Sequence, residues 1–249
     1  ASDVYKRQVQ AWDKIPDTAK DADGAYYADY TGIMSVGWNA DKYGDISSLD
    51  DLLDPKFAGT VALNGKPAEA GAAFNGYLMA NQLAGGDINN LQPGLDYFKK
   101  LKEAGNLTTV DVTNGTIDSG QTGVVFDWTY NQASYKKELK DKGVNWKYKT
   151  FPKAQVVSYY NQAINKDAPH PAAARLWEEY LYTADAQNLW FKGGANPVLL
   201  DSMKEDGTVD QATLKDAITI EGEPVSYTND DSTRITEWLQ NNWDKTIGN

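Results

Sequence analysis

No cysteine occurs in this chain. That excludes disulfides, thiolate nucleophiles and thiolate metal ligands, and it leaves the compartment open, because exported chains without cysteine are common. Histidine is almost as scarce. His170 stands alone between Pro169 and Pro171, at what reads as a helix start, where it fits a solvent-facing residue better than a general base. Basic residues are outnumbered, 24 Lys and Arg against 35 Asp and Glu, for a net charge of −11. With no basic stripe to neutralise phosphates, nucleic acid is excluded as a partner class. No apolar run approaches the roughly eighteen residues of a membrane span. GxSxG, HExxH, Walker A and GxGxxG motifs are all missing. Asp21, Asp23 and Gly24 imitate the middle of a calcium loop, but Ala19 and Tyr30 occupy its first and last ligand positions, so the segment reads as a turn. No catalytic residue set, metal or cofactor is expected.

Tyrosine and tryptophan are plentiful, 15 and 8 against only 6 Phe. Both carry a large apolar face and one hydrogen-bonding tip, a combination suited to wet binding clefts. Trp177, Trp190, Trp238 and Trp243 fall on helical patterns and read as packing residues. Trp128 is different. GVVFDWTYNQASYKKEL, residues 123–139, reads as a buried strand that ends in Asp127, Trp128, Tyr130 and Asn131 and runs straight into a helix. In open α/β sheets ligands bind just outside the carboxyl ends of strands, so these four residues read as a binding edge. Tyr159 and Tyr160 are adjacent in a second strand; successive strand residues face opposite sides, so one of them reaches a cleft and the other packs. The loop from Lys66 to Gly71 lies between a strand and a helix, where backbone N–H groups can hold an anion or simply form a connection. Asp29 and Asp127 form the one carboxylate pair that suits hydrolysis of a glycosidic bond. Glu178 and Glu179 read as a solvated helix face, opposite a stripe of Leu176, Tyr180 and Leu181.

Strands and helices alternate through the middle of the chain. Strands are expected over 32–39, 59–65, 123–127, 145–151 and 156–164. Helices are expected over 88–105, where Leu91, Leu95, Phe98 and Leu101 make an amphipathic stripe, after the loop at 66–71, over 130–142, and repeatedly in the tail, where Asp185 is placed as a cap. That is an α/β pattern with right-handed crossovers, and a mostly parallel sheet is expected within 59–151.

The segments YYADYTGIMSVGWNADK, SLDDLLDPKFAGTVAL, VVFDWTYNQASY and YYNQAINKDAPHPAAARLWEEYLYTADAQNLWFKGGANPV, in that order, resemble the extracellular solute-binding proteins of bacterial ABC importers. The group closest in pattern includes polyamine, ferric-iron and phosphonate binders. The resemblance covers roughly residues 15 to 245. It implies an α/β, periplasmic-binding-protein-like fold of two lobes joined by hinge strands, with solute trapped by hinge closure. It assigns residues 1–39 to a remnant of the first lobe and the first hinge strand, 40–155 to the second lobe, and 156–249 to the return hinge strand and the helical end of the first lobe. The family's N-terminal stretch has no counterpart here, so the first lobe is expected to be incomplete and 165–249 to show an apolar face without a partner. Residues 1–8, ASDVYKRQ, are either a tail resembling translated adapter sequence or a native loop. The polyamine pattern of a Trp and an Asp on the return strand meets Ser158 and Tyr160 here, and the paired tyrosines of ferric binders meet Trp128 and Tyr130.

The implied function is capture of a small solute and its delivery to ABC permease subunits, by a monomer outside the cytoplasm, either periplasmic or held by a lipid anchor on the outer face of the membrane. A small amine suits Asp127 and Trp128. The implied ligand set is Asp127, Trp128, Tyr130, Asn131, Tyr159, Tyr160, Asp29, Lys66 and Gly71. Two other readings stay open on the residues alone: a secreted hydrolase using Asp29 and Asp127, and a surface lectin.

Overall fold

In the computed structural model, which describes residues 4–5, 9–221 and 223–248, the strand read over 32–39 begins earlier, at Tyr27. Of the segment 1–8 that drew two readings, residues 1–3 and 6–8 lie outside the described residues. In chain order the elements are β1 (Tyr27–Asn39), α1 (Ala40–Tyr43), β2 (Val61–Leu63), α2 (Gly71–Leu83) and α3 (Gln92–Glu103). Next come α4 (Asn114–Asp118), β3 (Val124–Trp128), α5 (Thr129–Leu139), β4 (Trp146–Lys149) and β5 (Val157–Gln162). The tail holds α6 (Pro171–Leu181), α7 (Ala184–Lys192), β6 (Asn196–Pro197), α8 (Leu200–Glu205), α9 (Gln211–Asp216) and α10 (Asn229–Thr246). No helix among the described residues is long and apolar enough to cross a membrane.

The chain divides into two units. Unit 1 comprises Ala1–Gly32 and Ser158–Thr219; unit 2 comprises Ile33–Val157 and Ile220–Asn249. The chain therefore passes from one unit to the other after Gly32, Val157 and Thr219. The third passage departs from the expectation that all of 156–249 stays together, and its cause is packing. On α10, Ile235 and Leu239 are fully buried, and Trp243 meets Phe98 at a ring-centroid distance of 5.3 Å and Tyr77 at 6.1 Å, all within unit 2.

Unit 2 holds strands in the order β2-β3-β1-β4. β2 and β3 are parallel, as the long crossover through α2, α3 and α4 permits, while β1 is antiparallel to both β3 and β4. The sheet is thus mixed, not mostly parallel. Alternation of side chains sends Val124 and Phe126 to one face and Val125 to the other. The first face packs on α2, α3 and α10, with Tyr77, Phe98 and Leu101 fully buried. The expected α3 stripe of Leu91, Leu95, Phe98 and Leu101 lies wholly in this core. The second face packs Val125 with Ile117, Leu139 and Trp146. There Trp146 Nε1 donates to Gln132 Oε1 (2.8 Å) and Gln132 Nε2 donates to the Val125 carbonyl (3.0 Å). Gly37 leaves room for that amide: a Cβ at this position would fall 2.0 Å from Gln132 Oε1.

In unit 1, β6 pairs antiparallel with β1, Tyr30 opposite Pro197 and Thr31 opposite Asn196. The core gathers Ile15, Tyr27, Ala28, Leu181, Phe191 and Met203. α7 is capped by Thr183, whose Oγ1 accepts from the Ala186 N–H (3.3 Å), rather than by Asp185. On α6, Glu178 and Glu179 do not form the solvated face expected of them. Glu178 is buried at 4% exposure and accepts a 2.6 Å hydrogen bond from the Tyr27 hydroxyl. Leu181 is buried beside it, while Leu176 (73%), Trp177 (58%) and Tyr180 (42%) face solvent. A tyrosine donor makes burial of this carboxylate tolerable, and that turns the helix so that Leu176, Trp177 and Tyr180 point outward.

Among the described residues this leaves an apolar face of the kind expected of the 165–249 segment exposed on α6, and Leu189 of α7 is likewise 61% exposed. Exposed apolar clusters of this kind mark contact surfaces or association hazards. The chain in solution should therefore enhance the fluorescence of a hydrophobic dye or self-associate, and the double substitution Leu176→Lys with Trp177→Ser should remove that behaviour. A wild-type chain that stays monomeric and dark to the dye would contradict the surface described.

Candidate functional site

Two polar-aromatic clusters contain most of the residues singled out in the sequence, one in each unit. In unit 2 the cluster forms where β2 and β3 end side by side. Asp127 is the next-to-last residue of β3 and is fully buried. Its Oδ1 accepts from the Trp128 backbone N–H (2.8 Å) and from Asn131 Nδ2 (2.9 Å); its Oδ2 accepts from Asn64 Nδ2 (2.8 Å) and from the Tyr135 hydroxyl (2.9 Å). Burial pushes the Asp127 carboxyl above its ordinary range, and these four hydrogen bonds pull the other way. Burial and the neighbouring Asp127 raise the Tyr135 hydroxyl, so it remains a donor.

The spacing explains part of the arrangement. Asn131 and Tyr135 stand four residues apart on α5, on one helical face, and Asp127 stands near the end of the strand that runs into that helix. Asn64 comes from the other strand. It follows the last residue of β2, and its backbone N–H extends the parallel ladder to the Phe126 carbonyl (3.3 Å). Gly65, at φ 100°, then turns the chain away, a conformation that favours glycine. Neither Asn64 nor Tyr135 was singled out from the sequence. The signal for Asn64 was its place directly after the apolar run of β2, at a strand's carboxyl end.

Trp128 is only 4% exposed and belongs to the unit 2 core. Its ring stacks on Tyr130, centroids 6.3 Å apart at 16°, and Tyr130 and Asn131 are half-buried. Lys66 and Gly71 border the β2–α2 loop. The Lys66 carbonyl accepts from the backbone N–H groups of Glu69 (3.0 Å) and Ala70 (2.9 Å), and Gly71 opens α2. Lys66 lies two residues beyond Asn64 in the chain and Gly71 seven.

In unit 1 the cluster is built on β1 and β5. Asp29 is fully buried; Gln162 Nε2 donates to its Oδ2 (3.1 Å), while Oδ1 has no hydrogen-bond partner among the described residues. On the opposite face of β1, Tyr30 is stacked between Tyr160 (4.8 Å, 9°) and Trp190 (4.3 Å, 26°). Tyr160 is 39% exposed, whereas Tyr159 packs against the unit 1 core. The two neighbours divide as strand alternation requires. Asp29 and Asp127 belong to different units and both have 0% exposure.

Burial raises the Asp29 carboxyl from 3.8 to about 6. The folded chain then holds a proton that the unfolded chain has already released, so this group favours folding at low pH and the benefit is lost as pH rises from 3.8 to about 6. A shift of that size corresponds to roughly 3 kcal/mol. Urea denaturation at a series of pH values should show Asp29→Asn losing less stability over this window than wild type. Parallel curves for the two proteins would refute the assignment.

The sequence profile of the family described as bacterial extracellular solute-binding protein matches residues 3–217. No curated protein matches the chain by sequence. Solved structures share the fold. The periplasmic binding protein AfuA from Actinobacillus pleuropneumoniae, solved with exogenous fructose-6-phosphate bound, aligns with a TM-score of 0.70 at 19% identity, over 98% of this chain and 76% of that one. PotD from Streptococcus pneumoniae, a spermidine/putrescine ABC transporter substrate-binding protein, aligns with a TM-score of 0.70 at 13% identity, over 99% and 79%. Iron-bound HitA from Pseudomonas aeruginosa aligns with a TM-score of 0.67 at 19% identity, over 96% and 76%.

Proposed function

The chain belongs to the bacterial extracellular solute-binding protein family, and on that premise we propose that it captures a small solute and passes it, chemically unchanged, to the permease of an ABC importer. The observation that carries this reading is the family match across 3–217. A hydrolase using Asp29 and Asp127 finds no support. Each carboxylate is fully buried, and Asp127 already holds four donors. The chain works outside the cytoplasmic membrane as a monomer, free in a periplasm or held by a lipid anchor.

The solute-contacting residues in this reading are Tyr130, Asn131, Lys66 and Gly71 in unit 2, with Trp128 backing the Tyr130 ring and Asp127 ordering the polar groups. In unit 1, Tyr160 offers the exposed aromatic face, supported by the Tyr30–Trp190 stack, while Asp29 stays buried on the opposite face of β1 and Tyr159 holds the strand. Aromatic faces together with buried carboxylates favour a small amine, which gains cation–π attraction. The test is calorimetric titration with putrescine, a sugar phosphate and ferric citrate, with each solute recovered and identified afterwards. Binding with full recovery is the expected result; conversion of any of them to product would replace transport with catalysis.

A further inference from the structure

We propose, resting on the solute-binding reading above, that Asp127 acts as a positioning residue: it fixes the amides of Asn64 and Asn131 with their oxygens outward, so that this edge recognises a solute through the solute's own N–H or O–H groups. An ionised carboxylate only accepts hydrogen bonds and has about four lone-pair sites. Four donors occupy Asp127: Asn64 Nδ2, Tyr135 Oη, Asn131 Nδ2 and the Trp128 N–H. It is fully buried and has no capacity left for a solute ammonium group. Its effect on the solute must pass through the side chains it holds.

Those side chains have only one orientation that satisfies the carboxylate. An asparagine amide has a donor end and an acceptor end. With both Nδ2 atoms turned to Asp127, both Oδ1 atoms face away from it. Asn64 and Asn131 are half-buried. Neither Oδ1 accepts a hydrogen bond from the described residues, and neither is among the polar atoms sealed from solvent. The edge therefore presents two fixed acceptors, backed by one buried negative charge. An acceptor-only anion would meet both repulsion and unpaired oxygens there. A protonated amine or a polyhydroxylated solute would supply the missing donors, and leaving them unpaired against the wrong solute is what gives such a site its discrimination. Asn64 thereby joins the site as a contact residue, and Asp127 moves behind it.

The test uses the whole chain and two readouts. Side-chain amide hydrogens of Asn64 and Asn131, followed by NMR, should exchange slowly in wild type. In Asp127→Asn the new side chain brings a donor and a single acceptor oxygen, so one of the two amides must turn over and its exchange should quicken. In thermal-shift titrations, putrescine or sorbitol should stabilise wild type and sulfate should not. Asp127→Asn should weaken the stabilising solute by about tenfold, the effect of one hydrogen bond lost or reversed. Putrescine alone identifies an amine site and sorbitol alone a polyol site; either supports the inference. Stabilisation by sulfate alone overturns it, as do wild-type amides that exchange freely. If no probe shifts the melting curve, the solute-binding reading is what falls, and the amide exchange still decides the orientation of the two asparagines. A variant that fails to fold leaves the wild-type exchange measurement to decide the same point.

Discussion

Truncating Trp243 to alanine should cost about 3–5 kcal/mol of folding stability, the range for a large aromatic removed from a core. The ring is 8% exposed and lies edge-on to Tyr77 and Phe98, at 79° and 66°. It closes the face of the unit 2 sheet that α2 and α3 cover, so its loss leaves a cavity between three helices. Trp177 is the control. It is of the same residue type but 58% exposed on α6, and Trp177→Ala should change stability by no more than about 0.5 kcal/mol. Urea denaturation of both variants gives the comparison. Equal small losses would mean that α10 does not pack in unit 2 and that the third passage of the chain, after Thr219, is misplaced.

The contrast between these two tryptophans shows where the sequence stops being legible. Both stand on helices with a visible apolar stripe, and periodicity reveals that a helix has a face. It does not reveal what the face meets. For α3 the stripe was enough, because Leu91, Leu95, Phe98 and Leu101 have a neighbouring sheet to cover. On α6 the stripe misleads. Glu178 turns inward, since the Tyr27 hydroxyl waits for it on β1, and a buried carboxylate with a partner from a distant strand leaves no local mark. Strand direction was hidden for a related reason. Alternation marks β1 as a strand and says nothing about its sense, so the antiparallel entry of β1 between β3 and β4 could not be read from it. The polar cluster around Asp127 was legible in part. Asp127 at the end of β3 and Asn131 in the first turn of α5 follow from the strand-to-helix pattern, and the four-residue spacing from Asn131 to Tyr135 was there to be seen. Asn64 was not, because its relation to Asp127 exists only once β2 and β3 lie parallel.

Trp128→Ala and Tyr130→Ala should separate support from contact in unit 2. The two rings stack, 6.3 Å apart, but their surroundings differ: Trp128 is 4% exposed within the core and Tyr130 is half-buried at the start of α5. Removing the Trp128 indole should cost about 3–5 kcal/mol of stability, with weaker binding following from the disturbed Tyr130 ring. Removing the Tyr130 ring should leave most of the stability and cost about 1–3 kcal/mol of binding, the combined scale of ring packing and a cation–π contact. The measurements are denaturation midpoint and solute affinity in each variant. The ordering matters more than either number. If Trp128→Ala keeps its midpoint and loses affinity while Tyr130→Ala does the reverse, then the indole itself meets the solute, the phenol is the support, and the stack must open toward the other side of β3.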